Sequence, residues 1–256
     1  MNPKYKIAVI TGGASGLGRA TAETLIKQGA QIAIFDLNEE LGAQTAAALG
    51  AGTRAYAVNV ADEDSVKSAV AAVMADFGAI HINVNCAGIG AAARTLGREE
   101  PMPLKYFNGI VQVNLVGTFN TLRLCAWEMQ KNDPEGEDGE RGVVINTASV
   151  AAFDGQIGQA GYSASKAGVA GMTLPIARDL SRSGIRVCTI APGIFETPMM
   201  AGAPDRVRDP LIEMVPFPKR LGEAPEYALL ARQIIENPYL NGETIRLDGG
   251  IRMAAK

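Results

Sequence analysis

The amino-acid sequence predicts one α/β domain in which a doubly wound parallel sheet of about seven strands is covered by helices on both faces. Short apolar runs of the buried-strand type alternate with longer helical patterns along all 256 residues. A glycine-rich turn follows the first of these runs, and neither an internal repeat nor a flexible linker divides the chain. Because alternating strands and helices are joined by crossover connections, residues 1–256 are expected to form a single domain.

The predicted elements follow one another in a regular order. Residues 6–11 (KIAVIT) form the first strand, and an alanine-rich helix follows the glycine-rich turn up to about residue 28. Further strands are predicted at 31–36, 54–58, 82–86, 143–148, 186–190 and 243–247, and further helices at 39–49, 63–77, about 104–130 and about 161–182. The last of those helices contains Pro175, which is expected to end or kink it.

Two stretches interrupt this order. Residues 132–141 (NDPEGEDGER) are acidic and rich in proline and glycine, which indicates a solvated excursion between a helix and a strand. Residues 192–220 contain six prolines and three methionines and show no long periodicity. Because a loop of this length in a compact domain usually carries a function, we expect a substrate lid at about residues 193–220.

The composition is that of a globular chain with a substantial core. Apolar residues make up 47% of the sequence and charged residues 20%, and the net charge is −3. A net negative charge does not attract nucleic acid, and no apolar stretch approaches the roughly 20 residues of a membrane span. The first residues run directly into a strand, so no leader peptide is expected. Neither a nucleic-acid partner nor a membrane partner is therefore expected.

The cysteines and the single histidine argue against a disulfide framework and a metal site. Cys86, Cys125 and Cys188 are odd in number and widely separated, which is typical of a chain in the reducing cytoplasm. His81 opens a predicted strand and has no second histidine to join it, so its expected role is structural. We expect no histidine-based triad and no bound metal.

A glycine-rich segment lies at the turn from the first strand to the first helix. It reads TGGASGLG, and its glycines allow the backbone to approach a pyrophosphate that faces the helix N-terminus. The strand before it and the helix after it supply the context that this motif requires; a merely flexible turn is the alternative. The residues expected to bind a dinucleotide here are Gly12, Ser15, Gly16, Leu17 and Gly18.

Asp36 ends the second strand, eighteen residues after Gly18. A carboxylate at this place accepts hydrogen bonds from the adenosine ribose hydroxyls and repels a 2′-phosphate. Its neighbours offer no arginine or lysine to such a phosphate, so NAD is favoured over NADP. The ends of the third and fourth strands are expected to complete the cofactor site with Asn59, Val60, Cys86, Ala87 and Gly88.

Ser149, Tyr162 and Lys166 have a spacing that suits proton transfer. Tyr162 and Lys166 are four residues apart, so they share one face of the predicted helix. An ammonium about 5 Å from a phenol favours the phenolate by roughly 3 kcal/mol at an effective dielectric constant of about 20. The pKa of the phenol is then lowered by about two units, towards neutral pH. An ordinary exposed helix pair is the alternative.

Together these residues resemble the short-chain dehydrogenase/reductase family, whose members share a Rossmann-type sheet. TGGASGLG is similar to the family's TGxxxGxG loop, NCAG to its NNAG motif, and Ser149 with YSASK to its catalytic S…YxxxK signature. The likeness covers essentially the whole chain and implies an NAD-dependent oxidoreductase. It also implies a catalytic asparagine and a segment that holds the nicotinamide carboxamide: Asn114, Pro192, Gly193, Phe195 and Thr197.

Two positions depart from the family's pattern. Asn59 stands where an aspartate is usual at the adenine contact, and Cys86 replaces the second asparagine of NNAG. The oxygen of Asn59 still accepts hydrogen bonds, and Cys86 leaves the backbone path unchanged. We expect modest effects from both.

Two longer segments resemble a subgroup of this family that oxidises 3-hydroxyacyl-CoA thioesters in fatty acid metabolism. They are residues 146–168 and residues 234–253 (IIENPYLNGETIRLDGGIRM). The likeness implies reversible hydride transfer between NAD and a short or branched 3-hydroxyacyl-CoA. It also implies a homotetramer, and it places Gln156 and Gln159 beside the substrate; solvated loop glutamines are the alternative.

The resemblance implies a role for each member of the site. Tyr162 as phenolate takes the substrate's hydroxyl proton, and Lys166 lowers the pKa of Tyr162 and holds the nicotinamide ribose. Ser149 orients the substrate oxygen, and Asn114 fixes the water chain through which the proton leaves. Three alternatives remain open: an NADPH-dependent 3-ketoacyl-thioester reductase, against which Asp36 argues, a steroid or secondary-alcohol dehydrogenase, and a non-enzymatic dinucleotide sensor.

Overall fold

The computed structural model describes residues 1–90, 92–197, 200 and 205–255. The strands are β1 (Ile7–Thr11), β2 (Gln31–Asp36), β3 (Thr53–Ala57), β4 (Ile82–Asn85), β5 (Gly142–Thr147), β6 (Ile185–Pro192), β7 (Phe195–Glu196), β8 (Gly222–Glu223) and β9 (Thr244–Leu247). The α-helices are α1 (Gly16–Lys27), α2 (Glu39–Leu49), α3 (Glu63–Phe77), α4 (Leu104–Val111), α5 (Gly117–Met129), α6 (Ala160–Leu180), α7 (Asp205–Glu213) and α8 (Ala224–Glu236).

A seven-stranded sheet in the order β3–β2–β1–β4–β5–β6–β9 lies at the centre of the fold, and all its pairings are parallel. This confirms the predicted fold class. The strand order reverses between β1 and β4, because the chain first builds outward to β3 and then continues on the other side of β1. In open sheets of this kind, the crevice outside the carboxyl ends of the strands at the reversal binds ligands.

Successive side chains along each strand point to opposite faces of the sheet, where they pack into two separate hydrophobic cores. Val9 and Phe35 point to the face covered by α3, α5 and α6. Ile10 and Ile34 point to the opposite face, which α1 and α8 cover. Because both faces are buried, the strands read as nearly continuous apolar runs, which explains why the sequence reveals them.

Two helical predictions need correction. The helix expected at 104–130 is divided into α4 and α5 by a π-helical turn, Gln112–Val116, that contains Asn114. Such turns have no strong sequence signal and occur frequently at functional sites. Of the two effects expected of Pro175, ending the next helix is excluded, since α6 continues through Pro175 to Leu180, and a kink stays a prediction.

The acidic excursion is solvated in its middle and anchored at its ends. Residues 133–138 are exposed, as predicted. Asn132 Nδ2 donates to Ile80 O at 2.7 Å, and the Glu140 carboxylate pairs with the nearly buried Arg186 of β6 at 2.7 Å. Arg186 also donates to the carbonyl oxygens at the end of α8. The excursion is therefore fastened to the sheet.

His81 lies at the start of β4, at the amino edge of the sheet. Its Nδ1 accepts a hydrogen bond from Ile7 N at 3.3 Å, and burial lowers its pKa. This position is at the opposite edge from the carboxyl ends of the strands, in agreement with a structural role. Across the described residues, every helix is too short or too polar to cross a bilayer.

Candidate active site

A cavity of about 740 Å³ opens at the carboxyl edge of the sheet, where the strand order reverses. Of the residues predicted for the site, only Asn114 does not line it. The cavity brings together Gly12, Ser15, Gly16, Leu17, Gly18, Asp36, Asn59, Val60, Cys86, Ala87, Gly88, Ser149, Gln156, Gln159, Tyr162, Lys166, Pro192, Gly193, Phe195 and Thr197.

The glycine loop between β1 and α1 has no room for a side chain at Gly12 or Gly18. Gly12 has a φ of +62°, and a Cβ there would lie 2.9 Å from Ala87 N. A Cβ at Gly18 would lie 2.4 Å from Gly12 O. The backbone therefore stays bare at the start of α1, where the free N–H groups and the helix dipole favour an anion. This cradle suits the pyrophosphate of a dinucleotide.

Asp36 is held beside the glycine loop by two backbone hydrogen bonds. One carboxylate oxygen accepts from Ala14 N at 3.2 Å, and the other accepts from Asn38 N at 3.0 Å. A carboxylate oxygen has further lone pairs for ribose hydroxyls. Lys166 is the only cation among the lining residues that the structure describes. The Asp36 carboxylate therefore gives this part of the cavity a negative charge that opposes a phosphate group.

Lys166 reaches the end of β5 from α6. Its side chain is buried, and Nζ donates to Thr147 O at 2.8 Å. Burial lowers the pKa of the ammonium to about 8, because charge is poorly solvated there. The ammonium nitrogen lies 5.8 Å from the centroid of the Tyr162 ring. The helical spacing thus brings the two side chains together as predicted.

The pKa predicted for Tyr162 needs correction. Burial raises the pKa of the phenol above its ordinary value, and the hydrogen-bonding interaction with Ser149 lowers it by less. The expectation that Lys166 brings this pKa into the neutral range is therefore wrong for these side chains by themselves. Burial outweighs the hydrogen bond with Ser149 in setting the direction of this pKa, and sequence spacing contains no information on burial.

Asn114 is fully buried behind the cavity wall. Its Oδ1 accepts from Ile89 N at 2.8 Å, and its Nδ2 donates to Ile89 O at 3.0 Å and to Ser165 Oγ at 3.1 Å. The Asn114 amide therefore forms hydrogen bonds with both the N–H and the carbonyl of Ile89, in the loop after β4. It also ties that loop to α6.

Sequence patterns did not identify a pair of hydrogen-bonded hydroxyls that lies next to Cys86 of the cavity wall. The Thr147 and Tyr227 hydroxyls are 2.7 Å apart, and Thr147 Oγ1 also donates to Cys86 Sγ at 3.5 Å. Tyr227 comes from α8, on the face of the sheet opposite Lys166. No local motif marks Tyr227, because it is 80 residues from Thr147.

Part of the cavity lining is apolar. Ile89, Val150, Leu211 and Met253 belong to it, and Gln156 and Gln159 line the same cavity. We call this apolar part of the lining the apolar end of the cavity. Leu211 comes from the predicted lid, of which residues 198, 199 and 201–204 lie outside the described part of the chain. No pattern in the sequence indicated Met253, which follows the last strand.

Comparison with known proteins agrees with this geometry. The sequence profile described as short chain dehydrogenase matches residues 6–207. The 3-hydroxyacyl-CoA dehydrogenase type-2 of Homo sapiens is 54% identical over 252 residues, covering 98% of this chain and 96% of that protein. Its Drosophila melanogaster namesake is 53% identical, with 98% of each chain covered. The crystal structure of the Mycobacterium avium 3-hydroxyacyl-CoA dehydrogenase type-2 matches with a TM-score of 0.94 at 40% identity, covering 100% of this chain and 98% of that one.

Replacing Asp36 by asparagine is expected to weaken the preference for NADH over NADPH. Asp36→Asn removes the charge that repels a 2′-phosphate, while the amide oxygen still accepts from Ala14 N. We expect the ratio of the two dissociation constants to shift towards NADPH by about tenfold, or about 1.4 kcal/mol. Fluorescence titration of both cofactors measures this ratio. Glu39→Gln removes an exposed charge at the start of α2 and is the control; an equal shift in both variants would contradict the assignment.

Proposed function

The chain belongs to the short chain dehydrogenase family, and we propose that it transfers a hydride reversibly between NAD and a short or branched 3-hydroxyacyl-CoA. It is an oxidoreductase, and its cofactor is NAD. The observation that carries the proposal is that Ser149, Tyr162 and Lys166 line the same cavity as the glycine loop and Asp36. A bound NAD supplies the hydride chemistry that side chains lack.

Tyr162 is the proposed proton carrier. In the oxidising direction it takes the proton of the substrate hydroxyl, and in the reducing direction it returns a proton to the carbonyl oxygen. The Ser149 hydroxyl beside it orients that oxygen. Because burial raises the pKa of Tyr162, the phenol stays protonated at neutral pH and is ready to donate.

Lys166 is proposed to hold the nicotinamide ribose and to stabilise the phenolate form of Tyr162. An ammonium has three donors, and Thr147 O takes one of them. The remaining donors can bind ribose hydroxyls. Asn114 is proposed to act on the water chain indirectly, since its side-chain amide is committed to Ile89 and Ser165. It keeps the loop after β4 in place along the cavity wall.

The acyl-CoA substrate is supported by two observations. The apolar end of the cavity suits an uncharged alkyl chain, and the relatives at 53% and 54% identity are both named 3-hydroxyacyl-CoA dehydrogenase type-2. The predicted lid at about 193–220 adds Ile194 and Leu211 to that end. Gln156 and Gln159 are proposed to lie beside the substrate.

Two other oxidoreductases remain as alternatives. A 3-ketoacyl-thioester reductase that uses NADPH is opposed by the charge of Asp36 at the adenosine end. A steroid or secondary-alcohol dehydrogenase would share Ser149, Tyr162 and Lys166 and differ only in the apolar end of the cavity. The assignment as an oxidoreductase excludes the non-enzymatic dinucleotide sensor.

The proposed assembly is a homotetramer. An apolar stripe of exposed side chains, Val116, Phe119 and Trp127, runs from the end of the π-helical turn along α5 at helical spacing, and we call it the α5 stripe. Leu174 is a further exposed apolar side chain, on α6. Contiguous exposed apolar surface marks protein interfaces, and a second copy of this chain with the same stripe can cover it.

The proposed compartment is the cytoplasm. Cys86, Cys125 and Cys188 are all free thiols in the structure. Free thiols in a chain with three cysteines are typical of a reducing environment.

Tyr162→Phe tests the proton carrier. The variant keeps the aromatic ring and removes the hydroxyl group that carries the proton. The value of kcat/KM for acetoacetyl-CoA with NADH should therefore fall by about 10²–10⁴-fold. NADH affinity should change little. Tyr239→Phe, at an exposed position, is the matched control. The same assay on 2-methylacetoacetyl-CoA and on a ketosteroid identifies the substrate class; a steroid preferred over both thioesters would overturn the proposal, as would normal turnover by Tyr162→Phe.

The pH dependence of reduction tests the role of Lys166. Its pKa of about 8 lies below the ordinary value, so the charge is present at neutral pH and is lost as the pH rises through about 8. We expect kcat/KM for reduction to be constant below about pH 7 and to decline above about pH 8. Lys166→Arg keeps its charge over this range, so on its remaining activity the decline should move to higher pH. An unchanged decline in that variant would assign it to another group.

The α5 stripe is expected to hold the assembly together. Sedimentation should show four chains of 26.8 kDa in one particle. Phe119→Glu with Trp127→Glu places two charges in the apolar stripe and should produce smaller particles. Tyr5→Glu, at an exposed side chain outside the stripe, should leave the particle size unchanged. A single-chain particle for the unaltered protein would contradict the homotetramer.

A further inference from the structure

The chain after β9 returns to the loop that precedes Tyr162. We call residues 251–255 the C-terminal strap and residues 153–159 the substrate loop. Ile157 N donates to Ala255 O at 3.0 Å, and Gln156 Nε2 donates to Ala254 O at 3.1 Å. These two hydrogen bonds fasten the far end of the strap to the substrate loop.

Arg246 of β9 fastens the near end of the strap to the same loop. Its Nη2 donates to Ile251 O at 3.0 Å and to Asp154 Oδ2 at 2.6 Å. The guanidinium also lies over the Phe153 ring, 5.2 Å from its centroid. Both ends of the strap are therefore tied to a segment that lies between Ser149 and Tyr162.

Met253 lies between these two attachment points and lines the cavity. It packs against the apolar cluster of Val150 and Val215, beside Ile194. Val150 directly follows Ser149, so the apolar cluster to which Met253 belongs adjoins the strand end that carries Ser149. A methionine is unbranched and has a polarisable sulfur, which lets it adapt to irregular apolar shapes.

We propose that the C-terminal strap forms the wall that selects the acyl chain, with Met253 as the specificity-determining residue and Gln156 as a positioning residue that acts through the strap. The proposal rests on the proposed function. It changes the role expected for Gln156, because one of the two N–H donors of its side-chain amide is bonded to Ala254 O of the strap. The backbone N–H of Gln156 is likewise bonded to Gln159 Oε1 at 2.9 Å.

The strap is suited to this role because it belongs to no helix or strand. Its position depends on the contacts of Arg246, Gln156 and Ile157 and on the fully buried Ile251. A shorter side chain at Met253 would enlarge the apolar end of the cavity without touching the sheet. A larger one would fill the space into which a branch or a longer chain extends.

The test compares Met253→Ala and Met253→Phe with the unaltered enzyme. The measurement is kcat/KM, with NADH, for acetoacetyl-CoA, 2-methylacetoacetyl-CoA and 3-ketooctanoyl-CoA. Met253→Ala should raise the ratio of 3-ketooctanoyl-CoA to acetoacetyl-CoA by about tenfold or more, since a methylene in an apolar pocket is worth about 10–200-fold. Met253→Phe should lower the ratio for the branched substrate. Met74→Ala, a partly buried methionine of α3 remote from the cavity, should leave all ratios unchanged.

Gln156→Ala separates a positioning role from direct contact with the substrate. If Gln156 acts through the strap, the variant should shift the same ratio as Met253→Ala. The double variant should then shift it no further than Met253→Ala alone. Additive effects would show direct substrate contact and overturn the positioning role. Ratios within twofold of the unaltered enzyme for both Met253 variants would overturn the selecting wall.

Failure of the proposed function has a different signature. The unaltered enzyme would then turn over no thioester. The same variants would be compared on 2-alkanones of increasing length, because the wall acts on the alkyl chain whatever group carries it. Thermal melting and NADH titration of each variant identify any loss of folding.

Discussion

The end of β5 is held from both faces of the sheet, and the site is arranged around that point. From one face the Lys166 ammonium donates to Thr147 O, and from the other the Tyr227 hydroxyl meets the Thr147 hydroxyl. A buried charge is tolerated only where polar groups take up its donors, so the carbonyl of Thr147 fixes where Lys166 can lie. Tyr162 and Ser149 are placed relative to it by the helix and the strand end. One backbone carbonyl thus holds the ammonium beside which the proposed proton carrier lies.

The fold and much of the site were predictable because they depend on local patterns. Buried parallel strands leave apolar runs, and the glycine loop leaves a motif because Gly12 and Gly18 have no space for a Cβ. What could not be predicted depends on distant contacts or on solvation. Tyr227 meets Thr147 from another helix, Met253 reaches the cavity after the last strand, and the π-helical turn at Asn114 resembles ordinary helix in sequence.

For Tyr162, the sequence predicted the neighbouring side chain correctly and the direction of the pKa shift wrongly. The four-residue spacing does bring Lys166 to the Tyr162 ring. The spacing contains no information on burial, and burial weakens the acidity of the phenol and the basicity of the amine at once. Both groups thereby resist carrying charge, which favours the neutral phenol as a donor. The two ends of the cavity differ in the same way: polar backbone defines the cofactor end, and adaptable apolar side chains define the other.

Asp36 limits how the cofactor preference of this chain can evolve. Its side chain combines a negative charge with an acceptor for the backbone N–H of Ala14 in the glycine loop. A substitution that removes both the charge and the side-chain oxygen also removes the acceptor of that hydrogen bond. A change of nicotinamide cofactor through this position therefore requires a residue that loses the charge and keeps an acceptor for Ala14 N, as asparagine does. The backbone hydrogen bond thus narrows the set of single substitutions through which the cofactor preference can evolve.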